Sequence, residues 1–333
     1  MKDIARDLNV SVVTVSKVLR NHGDISRETR ERVLARMKEL NYQPNLAARA
    51  LVTGRTYSIG LVVPDLVHPF FAMVAKGITH HLRPKGYGLM ISSSEEDPEL
   101  EKAEVSFLLA RRVDALILAS AQLTPDSVWD CEEQKVPCVL IDRRFTEVKA
   151  HYVGVDDHTV GKMATAHLAE TGCRRIAHIR GGKVSPGESR YEGYRQALEE
   201  AGLPFVESYV VAGRSSDDSA DASGYDAMKR LLALDPRPDG VFCFNDPMAG
   251  GAMKAILECG LRIPEDIALV GAGNVSYAEF LRVPLTTVDQ NSASIGDKAA
   301  RVALKLIESE EPVRPRSVIL PPELVIREST RRR

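Results

Sequence analysis

Residues 3–20 read DIARDLNVSVVTVSKVLR, and their spacing decides how the chain begins. Ile4, Ala5 and Leu8 fall on one face of a short helix. Asn9 tolerates the left-handed conformation that a sharp turn needs. Ser11 can cap a second helix over 12–20, because its hydroxyl can accept from an otherwise unpaired N–H. Val15 and Val18 then point inward, while Val12, Val13, Ser16 and Lys17 point outward. Two exposed valines at a helix start make sense if they meet a partner. A helix-turn-helix puts that part of its second helix against base edges in the major groove. There apolar side chains touch thymine methyls, and Lys17 reaches a guanine edge or a phosphate.

Working outward, a third helix is expected after Ser26 as cap, with Glu28 in its first turn. Val33, Met37 and Leu40 form its inner stripe, and Asn41 followed by Pro44 ends it. Three helices in so short a stretch make a core that is marginal by itself. Charge supports a polyanion partner for this segment. Residues 1–56 hold eleven Lys/Arg against six Asp/Glu, a net +5, so residues 57–333 carry −7 of the total −2. A basic headpiece on an acidic body fits nucleic acid at one end only.

Next comes PNLAARALVTGR at 44–55. Pro44 can start a helix, Gly54 can end it, and two turns are too short to be stable alone in water. Small Ala47, Ala48 and Ala50 permit close pairing with a second copy. A projecting Leu51 can wedge between base steps in the minor groove.

From residue 57 the period changes. Apolar runs at 57–64, 87–93, 114–120, 136–142, 175–181, 239–245 and 266–273 alternate with helical stretches at 98–112, 159–170, 190–201, 221–232, 247–258 and 292–309. Continuous apolar strands between amphipathic helices mean parallel sheets covered on both faces. So much repetition predicts an α/β core of two doubly wound lobes with ligand at the carboxyl ends of the strands. Residues there are candidate contacts. Phe70 offers a ring face, Asp142 an acceptor, Arg190 a bidentate fork and Asn245 both donor and acceptor; Asp246 could cap the following helix.

The five cysteines form no CxxC pair, so buried free thiols in a reducing compartment are expected rather than disulfides or zinc. No signal core and no membrane-length apolar run occurs, which makes the cytoplasm the expected location. The run GAGNVS at 271–276 mimics a dinucleotide fingerprint, with Asp289 downstream. Ser276 in place of the third glycine, and Pro284 soon after, argue against it. No hydrolase or NTPase constellation emerges, and no cofactor or metal is called for. A solute-binding transport protein and a cytosolic α/β enzyme are the rival classes. The first lacks its signal peptide here, the second its acid, base or nucleophile set.

The blocks TVSKVL, SRETRERV and NYQPNLAARAL closely resemble the headpiece of the lactose-repressor family of bacterial transcription regulators. The likeness continues to LVIREST near residue 330. It implies a homodimeric repressor whose affinity for a near-palindromic operator responds to a small carbohydrate-derived effector. It implies DNA contacts by Ser11, Val12, Val13, Thr14, Ser16, Lys17 and Asn21, and by Asn45, Ala48 and Leu51 of a hinge helix. Asp142, Arg190 and Asn245 match its effector-contacting positions. It also implies periplasmic-binding-protein-like lobes, with boundaries at 1–43 (headpiece), 44–56 (hinge) and 57–333 (core). Chain crossings between lobes are expected near 156, 287 and 317. Three departures stand out. The Thr that usually caps the first helix is absent, so the natural start is expected upstream. Lys17 replaces Arg, trading a fork for a point charge. Gly273 stands where an acid usually grips ligand hydroxyls, which suggests a sugar acid or phosphorylated sugar. No heptads are appended before residue 333, so tetramers are not expected.

Overall fold

The structure is a computed structural model that describes residues 1–19, 23–42, 50, 53–213 and 220–331. The chain divides into two compact units, Met1–Thr56 and Tyr57–Arg333.

In the first unit, α1 (Lys2–Asp7), α2 (Val12–Leu19) and α3 (Arg27–Glu39) enclose one small core. Ile4, Ala5, Val15, Val18 and Val33 are buried in it, with Leu8 and Met37 packed against them. Asn9 takes φ 52° at the turn, Ser11 Oγ accepts from Thr14 N at 2.9 Å, and Ser26 Oγ caps α3 by accepting from Thr29 N at 3.2 Å. Leu40 departs from expectation. It is 42% exposed, because it is the C-cap of α3 and the helix has already stopped presenting its inner stripe. Arg36 reaches from α3 to Asp7 of α1 at 3.0 Å and ties the bundle's outer side.

Most of the expected hinge helix, including Asn45, Ala48 and Leu51, lies outside the described residues, as does Asn21. Where the linker is described, Gly54 N donates to Ala50 O at 2.8 Å, and Gly54 has φ 69°, a helix-ending conformation.

The second unit holds two six-stranded sheets. The first contains β1 (Ser58–Val63), β2 (Gly88–Ser93), β3 (Ala115–Leu118), β4 (Cys138–Ile141), β5 (His151–Val155) and β11 (Ser317–Leu320), in the order β11-β5-β4-β3-β1-β2 with every pairing parallel. The second contains β6 (Ile176–Arg180), β7 (Val210–Ala212), β8 (Gly240–Cys243), β9 (Ala268–Ala272), β10 (Thr286–Asp289) and β12 (Glu323–Val325), in the order β12-β10-β9-β8-β6-β7. Only its β10–β12 pairing is antiparallel among the described strands.

Each sheet is covered on both faces, which is why its strands read as unbroken apolar runs. In β1, Ile59, Leu61 and Val63 face α4 (Pro69–Leu82) and α11 (Ser292–Glu308), while Val62 faces α5 (Pro98–Ala110) and α6 (Asp126–Glu133). The second sheet is sandwiched between α7 (Asp157–Glu170) with α8 (Ser185–Glu200) and α9 (Ala220–Leu232) with α10 (Asp246–Glu258). In both sheets the strand order reverses beside the first strand of the lobe, the crevice where doubly wound folds take ligands.

The chain crosses between lobes after Val155, as expected near 156. The other two crossings come later than 287 and 317. β10 stays with the second sheet through Asp289, and β11 pairs with β5 in the first sheet until Pro321-Pro322, which cannot donate to a ladder. Several elements go beyond the sequence expectation: α4, α6, and the short strands β5, β7, β10, β11 and β12.

Helix contacts are tightest where glycines meet. A Cβ on Gly161 of α7 would lie 2.0 Å from the Arg190 carbonyl, and one on Gly193 of α8 would lie 2.0 Å from that of His158. Backbone carbonyls cannot swing aside as a side chain can. Gly161→Ala should therefore force α7 and α8 apart and lower stability by about 1–3 kcal/mol. Gly250 sits mid-helix, and a Cβ there would meet nothing within 4 Å. Its change to Ala should instead gain up to about 1 kcal/mol. Urea unfolding of both variants checks the opposite signs.

Candidate functional site

The recognition face of α2 is built as its sequence dictates. Capping by Ser11 starts the helix with Val12 and Val13 on the outside, 41% and 61% exposed, because Val15 and Val18 take the inner positions. Thr14 is partly occupied, its hydroxyl lying 2.8 Å from Ser11 Oγ. Ser16 is half-buried and has an internal partner. Lys17 does not project freely. Its ammonium pairs with Asp24 in the turn before α3, so contact with a phosphate would have to displace that carboxylate or share the cation with it.

In the core, the strand ends of both sheets converge. Asp142 follows β4 with φ 59°, a conformation a non-glycine residue adopts only when its surroundings impose it. Its carbonyl accepts from the Tyr152 hydroxyl at 3.0 Å, which fixes the backbone. The carboxylate itself is only 3.8 Å from Arg143 Nε at its closest cation. Burial raises its pKa, with Arg143 and Arg190 pulling the other way. Arg143 is clamped to Glu96 at 2.8 Å and to the Ser120 carbonyl at 3.0 Å. That leaves Asp142 as an acceptor without a hydrogen-bond donor of its own among the described residues.

Arg190 differs from its expected role. Its side chain is 3% exposed. Nε and Nη2 hold Asp157 at 2.8 and 2.7 Å, Nη1 donates to the Phe244 carbonyl at 2.7 Å, and Nη2 donates to Gln290 Oε1 at 2.9 Å. The bidentate fork is thus taken by Asp157, an internal carboxylate that sequence spacing does not reveal. Burial pushes the Asp157 pKa up, and Arg190 opposes the shift. Asn245, not Asp246, caps α10: its Oδ1 accepts from Met248 N at 2.9 Å, which leaves its amide N–H groups for a ligand. Phe70 is 5% exposed, edge-on to Phe71 at 5.1 Å, and packed with the apolar core under α4, at the second position of that helix.

Gly273 has φ 135°, and a Cβ there would lie 3.4 Å from Asp246 Oδ2. Asp246 is fully buried, accepts from Thr287 Oγ1 at 2.5 Å and Val275 N at 2.9 Å, and has its pKa pushed up to about 6 by burial. An acid at position 273 would meet both backbone strain and a like charge. Asn274 does not replace it, since its amide is held by Asp289 at 2.9 Å and Arg327 at 2.8 Å.

His68, which follows the first strand of the core, joins these groups. It caps α4 by accepting from Phe70 N at its Nδ1, 3.3 Å away, which leaves Nε2 to carry the proton. Burial, with Arg190 and Arg143 adding to it against Asp65 and Glu96, lowers its pKa to about 4. It is a neutral donor among the strand-end charges. The two lobes also touch directly here, Arg144 N donating to Ser185 Oγ at 2.9 Å.

No group of His, Cys, Asp and Glu among the described residues could hold a metal ion, and no described helix is long and apolar enough to cross a membrane. Cys131, Cys173 and Cys243 are buried free thiols, Cys138 is half-buried and Cys259 is exposed.

A helix-turn-helix unit in one chain with a two-lobed α/β sensor core defines a ligand-responsive transcription regulator. Comparison with known proteins agrees. Residues 1–45 match the model of the bacterial regulatory proteins of the lacI family, and residues 165–330 match the periplasmic binding protein-like domain. The HTH-type transcriptional repressor PurR of Haemophilus influenzae (strain PittEE) is 35% identical over 340 residues, covering 99% of this chain and 98% of that protein. The ribose operon repressor of Halalkalibacterium halodurans is 36% identical over 332 residues, covering 99% and 97%. Among solved structures, the Lac repressor dimer bound to operator and the anti-inducer ONPF superposes with a TM-score of 0.85 at 27% identity, covering 98% of each chain. The chain belongs to the LacI family of bacterial transcription regulators; these relatives are repressors, not enzymes.

The Arg190–Asp157 pair can be tested directly. A carboxylate whose folded pKa lies above its unfolded value of 3.8 loses stability as pH rises from there to the folded pKa. Arg190→Met removes the charge that opposes the shift, so the folded pKa rises and that window extends upward. The variant should lose about 3–5 kcal/mol near pH 8 and distinctly less near pH 5. Denaturant melts at the two pH values give the difference.

Proposed function

We propose that this regulator acts in the cytoplasm as a homodimer on a near-palindromic operator, and that a small hydroxylated metabolite between the lobes sets its operator affinity. Two copies of the α2 face, with Val12, Val13, Thr14 and Lys17 toward base edges and phosphates, suit two adjacent major grooves. Asn21, Asn45, Ala48 and Leu51 are assigned to the same DNA surface on sequence grounds alone.

The observation that carries the effector reading is the convergence of three groups at the strand ends. Asp142 keeps a carboxylate with no hydrogen-bond donor among the described residues and only the long Arg143 contact, Asn245 keeps its amide donors, and His68 presents a neutral N–H. Such a set suits a ligand with hydroxyls to donate and a ring or carbonyl oxygen to accept. It favours a neutral sugar or nucleoside-like compound over the sugar acid that Gly273 alone suggests, because Arg190 is already occupied by Asp157. The name of one relative, a ribose operon repressor, points the same way.

Calorimetry across paired neutral sugars and their acids tests the ligand class. A neutral member should bind, and Asp142→Asn should weaken it about 10- to 100-fold, as expected for loss of a charge-assisted hydrogen bond. Tight binding of an acid with none of its neutral partner would sink the reading.

On DNA, the cations of residues 1–56 must displace counterions. Operator affinity, measured by fluorescence anisotropy, should fall by at least about tenfold between 50 and 200 mM salt. A flat response would contradict a phosphate-anchored headpiece.

A further inference from the structure

Arg143 stands beside Asp142 at the end of β4 and is only 9% exposed. Its Nη1 donates to Glu96 Oε2 at 2.8 Å and to the Ser120 carbonyl at 3.0 Å, and its Nη2 donates to Glu96 Oε1 at 2.5 Å. The guanidinium therefore ties together the chain that follows β2, β3 and β4. Its anchors are themselves fixed. Ser120 Oγ donates to Glu101 Oε1 at 2.8 Å, and the Ala121 N–H donates to the same carboxylate, which is fully buried in α5. Glu96 is the second of two successive residues with positive φ, Glu95 at 49° and Glu96 at 57°, a backbone that side-chain-bearing residues keep only under constraint.

Arg143 Nε is buried without a hydrogen-bond partner and lies 3.8 Å from Asp142 Oδ2. That separation is too long for a hydrogen bond and short enough for charge attraction. A hydrogen bond would occupy a lone pair of the carboxylate, whereas attraction at this range steadies the anion and leaves its acceptors open. Asp142 needs such support. Arg143 N donates to the Ile141 carbonyl across it, and with φ 59° this is the strained sense of the γ-turn. β5 holds only the backbone of the turn: the Asp142 N–H donates to Val153 O at 3.3 Å, and the Asp142 carbonyl accepts from the Tyr152 hydroxyl at 3.0 Å. For the carboxylate itself, Arg143 is the nearest cation. Burial opposes its ionisation; Arg143 is the foremost charge favouring it, ahead of Arg190, while Glu96 opposes it to a smaller degree. Asp157, across the crevice, is a further like charge.

We propose that Arg143 is a positioning residue for effector binding: clamped by Glu96 and the Ser120 carbonyl, it holds the Asp142 carboxylate ionised and in place without consuming its acceptors. The proposal rests on the reading of Asp142 as an effector contact. It gives the buried Glu101 a part as well, since Glu101 fixes the segment that offers the Ser120 carbonyl to Arg143.

Carboxyl ¹³C NMR of the full chain, labelled at aspartate Cγ, tests this with no effector present. The resonance missing from Asp142→Asn identifies Asp142. Its titration midpoint should move up by about one pH unit or more in Arg143→Met and Arg143→Gln, as expected on losing a cation at this range. Arg143→Lys keeps the charge and loses the fork, and should hold the midpoint closer to that of the unaltered protein than either neutral variant does. Should Arg143→Met fail to fold, the comparison of Gln with Lys decides. An unmoved midpoint in the neutral variants would overturn the proposal. So would a Lys variant that shifts as far as Gln, because a packing role alone gives that result. Calorimetry that finds sugar binding indifferent to Asp142→Asn, with the midpoint still shifted by Arg143→Gln, would overturn the effector half of the proposal and leave the Arg143–Asp142 link standing.

Discussion

The buried pair of Arg190 and Asp157 is the interaction on which the sensing core depends. It joins α8 to the first residue of α7, and through Phe244 and Gln290 it also joins the ends of β8 and β10. Such a pair can exist only where helices approach closely, and Gly161 and Gly193 supply that approach with no side chain between backbones. Burying two charges is costly unless nearly every hydrogen bond is made. Here the guanidinium is bonded on all three nitrogens, which turns a costly element into a rigid corner at the mouth of the crevice.

That rigidity determines which groups remain for a ligand. Because Arg190 is bonded within the second lobe, the groups left with incomplete hydrogen bonding are the Asp142 carboxylate, the Asn245 amide and the His68 N–H, the set proposed above to meet the effector. Each is fixed from behind, by Tyr152, by the cap of α10 and by the cap of α4 respectively. Preorganised groups on element ends lose little freedom when a ligand arrives, which is how a crevice of few polar atoms can select. The same economy explains Gly273. With Asp246 buried just beneath it, another acid there would repel a carboxylate that already draws on Arg327 and Arg190.

The headpiece follows a different logic. Its core is a handful of residues around Ile4, Val15 and Val33, and much of its order comes from caps and from the Arg36–Asp7 tie. Val12 and Val13 are left outside because the inner positions of α2 are already filled, so exposure there follows from the packing pattern itself. Lys17 is held by Asp24, so a phosphate would have to compete with a carboxylate of the same chain for that cation.

The sequence by itself determined the three-helix headpiece, the caps at Ser11 and Ser26, the turn at Asn9, and the alternation of strands and helices from residue 57. These are local properties, set by side-chain periodicity and by which residues tolerate a given backbone angle. It also offered Asp142 and Asn245 as crevice candidates, since residues that end apolar strands are placed by the strand itself, and Arg190 from the helix that follows one. Only the tertiary structure decided what those residues touch. Arg190 meets Asp157 rather than open crevice, Phe70 turns into the core, and β10 and β11 join sheets that their short sequences could not specify. The reason is range: periodicity reports which face a residue occupies, whereas the choice of partner depends on chain brought in from tens or hundreds of positions away.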